Sequence, residues 1–142
     1  MTNYDSAFRW MKVKNGRLHF ASIELDIQKN DFENKIVDDY LVNGFKNDSE
    51  GIKPWKKGLI RGLEFTLSKS SNFWTIVIKE LQAPVLDSNP AIIGYTAILA
   101  FIEKTKIIID EDDLRKIELF VYESWKGSNA DKVPNFNKLI FE

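Results

Sequence analysis

Cysteine is absent from this sequence of 142 residues. Its absence excludes disulfide frameworks, thiolate zinc sites and cysteine nucleophiles. Histidine is almost as rare, since His19 is the only one and lies within a predicted strand. A Ser-His-Asp triad would have no other base, and the sequence contains no recognisable nucleophile elbow or oxyanion loop. We therefore interpret His19 as a structural or surface residue.

Long apolar runs and a net charge of either sign are missing as well. The longest apolar run, 97–102, is far too short to span a bilayer, and residues 1–9 contain no apolar signal core. The 20 Lys and Arg residues nearly cancel the 21 Asp and Glu residues, so no global field draws the chain toward nucleic acid. We expect a cytoplasmic protein with no membrane partner, in which any contact with nucleic acid needs a local basic patch.

Motifs for phosphate and metal binding are lacking too. No G-x-x-x-x-G-K-[ST] segment is present, which excludes a P-loop nucleotide site. The acidic run 110–113 lacks the alternating ligands and the glycine turn of a calcium loop, and consecutive carboxylates suit the start of a helix. Nothing in the sequence places a pair of carboxylates across a cleft. We therefore expect a non-catalytic protein with no cofactor and no metal.

The residues that are present suit one globular domain spanning all 142 residues, because 44% are hydrophobic and 13% are aromatic. Asn15-Gly16 favours a two-residue hairpin turn between an aromatic strand, 8–13, and an alternating strand, 17–27. The pair Ala21-Ser22 shifts the alternation within the second strand and predicts a bulge there.

Two helices are predicted by periodicity and by capping residues. Pro54 suits a first helical position, and apolar residues recur every four residues after it, so a helix is predicted from 52 or 53 to 67. Three N-cap residues before Pro90 predict a second, largely buried helix that ends near Lys104. The segment 110–127 carries a helical stripe but also an aromatic run typical of a strand, and we favour the helix. Strands are predicted at 32–37 and 74–81, and a short strand or an irregular segment at 133–141.

This order of elements predicts an α+β fold with a four-stranded sheet, two main helices on one face and a C-terminal extension over 104–142. Between the third strand and the first helix, the polar segment 38–51 is predicted to be a long exposed loop. Loops of that length are often functional.

Four blocks of sequence carry a resemblance to a known family. They are HFASIEL (19–25), FENKIV (32–37), KGLIRGLE (57–64) and DSNPAIIGYTAILAF (87–101). In this order and at these spacings they resemble domain IV of elongation factor G over roughly residues 17–103. The resemblance implies the fold of ribosomal protein S5 domain 2. It also implies a ribosome or structured RNA as the partner, since two tip loops of that domain reach into the decoding centre.

The sequence departs from the family at those two loops. Asp38-Asp39 stands where the family has Gly-Gly, and Pro84 stands where it has a histidine. Carboxylates would repel phosphate where the family approaches RNA. Because the chain also lacks a P-loop, we reject a GTP-driven translocase.

Two segments are candidate binding sites. One is a basic stripe at helical spacing, formed by Lys53, Lys57 and Arg61, with Lys56 and Trp55 adjacent. Such a stripe could bind phosphate or an acidic protein, or it could be a solvated helix face. The other is the loop 40–51, in which Tyr40, Leu41 and Phe45 lie among acidic and amide residues. Loops with such apolar residues are typical interaction elements.

Two functions are therefore predicted side by side. One is a ribosome- or RNA-associated binding module on a domain IV scaffold, and the other is a protein-binding adaptor or immunity-like protein with rebuilt loops. An enzyme on the broad fold of the small-molecule kinases is the weakest hypothesis, because their glycine-rich phosphate loop is missing. Neither the identity of the partner nor the oligomeric state follows from the sequence.

Overall fold

A computed structural model describes residues 7–46 and 49–142. The chain has the predicted α+β fold, in which helices pack on one face of a mixed sheet. The strands are β1 (Ala7–Lys14), β2 (Arg17–Asn30), β3 (Lys35–Val37), β4 (Leu41–Val42), β5 (Phe73–Gln82), β6 (Pro134–Asn135) and β7 (Ile140–Phe141). The helices are α1 (Lys53–Lys69), α2 (Pro90–Thr105) and α3 (Glu111–Tyr122). No helix within the described ranges is long and apolar enough to cross a membrane.

The main sheet has the strand order β1-β2-β5-β3. β1 pairs antiparallel with β2, and β2 pairs antiparallel with β5. β3 runs parallel to β5 beside residues 75–77, and the short β4 runs parallel to it beside residues 80–81. Because β3 and β4 lie along the same neighbour, they form one interrupted edge of the sheet. β6 and β7 form a separate small hairpin.

The bulge lies in β5 and not in β2, because Lys79 is the extra residue between Glu80, which pairs with Glu24, and Ile78, which pairs with Leu25. The register between β2 and β5 shifts between Glu24 and Leu25, whereas Ala21 and Ser22 keep regular pairing with β1. The predicted bulge at Ala21-Ser22 is therefore wrong. Small side chains at these two positions interrupt the apolar alternation but leave the backbone ladder intact.

The third strand is shorter than predicted, because a side chain turns the chain before it. The Oδ1 atom of Asn30 accepts hydrogen bonds from the backbone N–H groups of Phe32, at 2.9 Å, and Glu33, at 3.3 Å. This turn carries the chain out of β2, and pairing with β5 resumes only at Lys35.

The two main helices cross at glycines. A Cβ atom added to Gly58 would lie 2.3 Å from the carbonyl oxygen of Pro90, and one added to Gly62 would lie 2.1 Å from that of Gly94. The helix backbones therefore touch at this crossing. Asn89 caps α2 as predicted, because its Oδ1 atom accepts the N–H of Ile92 at 2.9 Å.

The C-terminal extension completes the core. Its segment 111–122 is helical, as favoured from the sequence, and the Asp110 carboxylate caps the helix by accepting the N–H groups of Asp112 and Asp113. Phe136, between β6 and β7, then packs against Gly94, where an added Cβ atom would lie 2.6 Å from its ring. The Phe136 ring also meets Phe65 of α1 and Phe120 of α3 edge-on. The Phe136 ring thus packs against all three helices.

A hydrogen-bond network joins α2 to α3. The hydroxyl groups of Tyr95 and Tyr122 donate to the Glu118 carboxylate at 3.1 Å and 3.0 Å. Burial raises the pKa of both tyrosines above the ordinary value, and the neighbouring Glu118 raises it further.

We expect the substitution Gly62→Ala to destabilise the protein by about 1–3 kcal/mol, because the overpacking at the helix crossing exceeds the gain in helix propensity. Urea denaturation measures this difference. Gly51→Ala is the matched control, since nothing lies within 4 Å of a Cβ atom there, and it should change stability by less than about 0.5 kcal/mol. Equal stability of the two variants would show that the helices do not meet at Gly62.

Alkaline pH should unfold the protein together with ionisation of Tyr95 and Tyr122. Their pKa is raised in the folded state, so the folded protein holds the phenolic protons more tightly than the unfolded chain. Stability is therefore complete below about pH 10, the ordinary tyrosine pKa, and falls as the pH rises above it. Tyrosinate absorbance and circular dichroism, recorded in one titration, should change together. Ionisation of all four tyrosines of the chain near pH 10, with the helical signal intact, would contradict this.

Candidate functional site

Two loops leave the main sheet at the same end. The first tip loop, 38–46, contains β4 and the turn that follows it, and the second tip loop, 83–89, connects β5 to α2. β4 runs beside the last residues of β5, and Gln82, the last residue of β5, pairs with Ser22, so that the first five residues of β2 extend beyond β5 toward the β1–β2 turn. Both loops and the β1–β2 hairpin therefore lie at one end of the sheet, which we call the tip.

Asn43 joins the two tip loops. Its Oδ1 atom accepts the backbone N–H of Ala83 at 2.8 Å, and its Nδ2 atom donates to the carbonyl of the same residue at 3.0 Å. Its own backbone N–H donates to the Leu81 carbonyl at 2.8 Å. The side-chain amide thus extends the pairing with β5 by one residue beyond β4.

The turn after β4 has the residues that its backbone requires. Asn43 and Gly44 both have positive φ angles, 52° and 84°, which asparagine and glycine adopt at low cost. The turn reverses the chain so that Val42 and Phe45 exchange backbone hydrogen bonds of 2.8 Å and 3.1 Å. The predicted long loop over 38–51 is therefore a short strand and a tight turn as far as residue 46, and residues 47 and 48 lie outside the described ranges.

The second tip loop is held by the β1–β2 hairpin. The backbone N–H of Phe20 donates to the Asp87 carbonyl at 2.8 Å, and the Arg17 guanidinium donates to the Leu86 carbonyl at 3.0 Å. The same guanidinium lies 3.6 Å from the centre of the Trp125 ring. Backbone hydrogen bonds and one fixed arginine therefore hold this loop in place.

Four apolar side chains on the tip loops project into solvent. Leu41 is 43% exposed, Phe45 72%, Val85 73% and Leu86 80%. An open depression of about 370 Å³ lies between the two loops, and Val85 is the one of these four side chains in its lining, together with Phe20, Asn43, Gln82, Ala83 and Pro84. Large apolar side chains held in water on ordered loops are typical of protein interaction sites. We call these four side chains the tip surface.

Tyr40 and Trp55, both candidate binding residues from the sequence, are core residues instead. Trp55 lies on the buried stripe of α1 together with Leu59, so its indole cannot stack on a nucleobase. Burial raises the pKa of Tyr40, and Asp38 raises it further. The Lys56 ammonium lies 5.5 Å from the centre of the Tyr40 ring. Of the predicted aromatic candidates, Phe45 belongs to the tip surface.

The predicted basic stripe lies on α1, but two of its cations are paired. Lys53 forms an ion pair of 2.7 Å with Glu50, and Arg61 forms one of 2.7 Å with Glu142. Lys57 is exposed and forms no ion pair with any described residue. Exposed ion pairs are weak, so the pairing reduces the positive field of the stripe without abolishing it.

His19 is buried among aromatic rings. Its Nδ1 atom lies 3.2 Å from the Lys12 carbonyl oxygen, and its ring lies 5.1 Å from that of Tyr122 and 6.1 Å from that of Trp10. In the parts of the chain that the structure describes, no three His, Asp or Glu residues are grouped to hold a metal ion.

Sequence reasoning missed Val85, Leu86 and the role of Asn43. A signal for the first two exists, because an apolar pair between Pro84 and the helix cap at 87–89 is unusual in a loop. The contact between Asn43 and Ala83 spans 40 residues of sequence, and no local pattern indicates it.

No protein-family model and no curated protein sequence matches this chain. Its fold is shared with other proteins, since 24 chains of solved structures are similar to it. One is a crystal structure of a protein from Thermus thermophilus, with a TM-score of 0.50 and 15% identity over 68% of this chain. The chain spans 14% of the length of that protein. At this identity the similarity shows a shared fold alone.

Asn43→Gly should destabilise the protein by about 1–2 kcal/mol, because it removes both bonds to Ala83 and leaves a backbone N–H unpaired. Asn15→Gly is the matched control. Asn15 has a φ of 54° in the other Asn-Gly turn and makes no side-chain hydrogen bond with the described residues, so the backbone effects of glycine cancel. Urea denaturation of both variants gives the difference, and equal losses would show that the amide does not tie the loops together.

Proposed function

We propose that this chain is a non-catalytic protein-binding module that contacts its partner through the tip surface. The observation that carries the proposal is the exposure of Leu41, Phe45, Val85 and Leu86 on two loops that are bonded to each other and to the sheet. Apolar side chains contribute to binding when a partner removes them from water, at about 25 cal/mol per Å². Loops that are already ordered lose little conformational entropy on binding.

The scaffold is proposed to be related to domain IV of elongation factor G. Support comes from the places of the four resembling blocks, which fall on β2, on β3 and the turn before it, on α1 and on α2 with its cap. The departures from the family, at Asp38-Asp39 and Pro84, fall on the two tip loops. A scaffold that keeps its framework and changes its tip suits a module that has changed its partner.

A ribosome- or RNA-associated module is the second candidate. It is favoured by Lys57, which is exposed on α1 at helical spacing from Lys53 and Arg61. Three observations oppose it: Trp55 is buried, two cations of the stripe are paired, and two carboxylates lie on the first tip loop. These features of the surface therefore favour a protein partner over RNA.

The test is retention of cell components by the immobilised chain, with and without ribonuclease. The double variant Phe45→Ser/Leu86→Ser should retain at least about 30-fold less partner protein than the unchanged chain, which is the loss expected when hot-spot side chains are removed. Ribonuclease should have no effect. Mass spectrometry identifies the retained proteins, and thermal unfolding should show that the variant folds normally, because both side chains are exposed.

The matched control is Phe32→Ser/Ile108→Ser, which removes two exposed apolar side chains at the opposite end of the sheet. It should retain the partner fully. The second candidate would be favoured instead if the chain retains ribosomal proteins and RNA, and if ribonuclease or the double variant Lys53→Glu/Lys57→Glu abolishes that retention. A partner that still binds the tip variant, or no retained component, would overturn the proposal.

A further inference from the structure

β1 is an edge strand with unpaired backbone groups. Lys14 and Arg17 close the two-residue turn as a hydrogen-bonded pair, so alternate residues of β1 bond to β2. The N–H and C=O groups of Arg9, Met11 and Val13 consequently point away from β2. They have no hydrogen-bond partner among residues 7–46 and 49–142. Such a row of donors and acceptors is a template for one more strand.

The same hairpin is uniformly basic. Its cations are Arg9, Lys12, Lys14 and Arg17, and no acidic residue occurs between Ala7 and Ile23. None of the four forms an ion pair with the part of the chain that the structure describes. The field at this edge is therefore locally positive, although the net charge of the chain is −1.

The two faces of β1 carry different chemistry. Trp10 packs edge-on against Tyr95 of α2, which places it, with Lys12 and Lys14, on the helix side of the sheet. Met11 and Val13 project from the opposite face and are 63% and 66% exposed. Arg9 projects from that face too, at the end away from the turn. A strand added beside residues 11–14 would therefore meet lysines on one face and apolar side chains on the other.

Side-chain contacts fix the position of the β1–β2 hairpin. The Arg17 guanidinium stacks over Trp125, and the Lys14 ammonium lies 5.8 Å from the centre of the Tyr122 ring. His19, opposite Lys12, has its Nδ1 atom 3.2 Å from the Lys12 carbonyl oxygen. These contacts fix the turn against the C-terminal extension, so the hairpin loses little conformational entropy when a partner binds.

We propose that the β1 edge binds an extended segment of a partner protein by strand addition, and that this segment alternates acidic with apolar residues. The proposal rests on the proposed function as a protein-binding module. Acidic side chains would face Lys12 and Lys14, and apolar side chains would face Met11 and Val13. Backbone hydrogen bonds supply affinity, and the alternation supplies specificity.

Charge selects this occupant over the others. Lysines on an edge strand oppose neutral or basic strands and admit acidic ones. A second copy of the chain would bring another basic hairpin against the first, which like charges disfavour. The exposed apolar groups of β1 are aliphatic, whereas binding of single-stranded RNA uses aromatic rings for stacking.

The test is a titration of the full chain with a ten-residue peptide of alternating glutamate and valine, followed by the amide spectra of the ¹⁵N-labelled protein. The amides of Arg9, Met11 and Val13 should shift and exchange more slowly with water, with a Kd of about 1 mM or tighter. A peptide of alternating lysine and valine should bind at least about tenfold more weakly. Equal binding of both peptides, or shifts confined to other residues, would overturn the proposal.

Two variants separate the backbone from the charge. Met11→Pro removes one outward N–H and no bond to β2, so the fold should persist while peptide binding is lost. Lys12→Glu/Lys14→Glu should weaken binding at least about tenfold. Lys116→Glu/Lys138→Glu makes the same charge change at exposed positions on α3 and the C-terminal hairpin, and should bind normally. Full binding by the Lys12→Glu/Lys14→Glu variant would rule out the acidic occupant even if the proline variant failed to fold.

Two further arms identify other occupants. A uridine decanucleotide that shifts the β1 amides when the acidic peptide does not, or a dimer seen by sedimentation that Met11→Pro abolishes, would overturn the proposal. The tip variant Phe45→Ser/Leu86→Ser should bind the peptide normally, because its substitutions lie outside β1. If the peptide binds but the immobilised chain retains no partner protein, only the proposal for the tip surface is contradicted. If a partner protein is retained through the tip surface but the peptide does not bind, only the proposal for the β1 edge is contradicted.

Discussion

The glycine contact between α1 and α2 determines how the rest of the protein is arranged. With Gly58 and Gly62 against the backbone of α2, the two helices pack closer together on their face of the sheet than side chains at the crossing would allow. The β1 side of that face needs another cover, and the C-terminal extension provides it. Tyr122 and Trp125 pack around His19 there, and Phe136 fills the space that Gly94 leaves open. The extension is thus part of the core.

At the tip, stability and recognition depend on different atoms. Backbone and amide hydrogen bonds hold the loops, through Asn43 to Ala83 and through Arg17 to Leu86. The exposed side chains of Phe45 and Leu86 contribute little to the fold, because they remain in water. Loops built in this way can change their apolar side chains, and so their partner, without a cost to the scaffold.

Local signals in the sequence account for most elements but not for their contacts. Pro54 and the four-residue apolar period predict α1, and the cap at Asn89 predicts α2, because both signals act within a few residues. That period also places Trp55 on the buried stripe, so its assignment to a binding site conflicted with a signal already present. The pairing of Gly62 with Gly94 and of Asn43 with Ala83 depends on tertiary packing, which periodicity does not encode.

The candidate surfaces differ in the same way. Phe45 is recognisable from the sequence because it is an apolar residue in a polar segment, whereas the basic edge of β1 depends on strand order, which a single chain pattern does not give. Arg17 connects the two surfaces, since it belongs to the basic hairpin and also bonds the second tip loop. A partner that contacts both surfaces would gain affinity from the apolar side chains and orientation from the charged edge. The net charge of the chain hides this division, because the acidic residues that balance the hairpin lie outside residues 7–23.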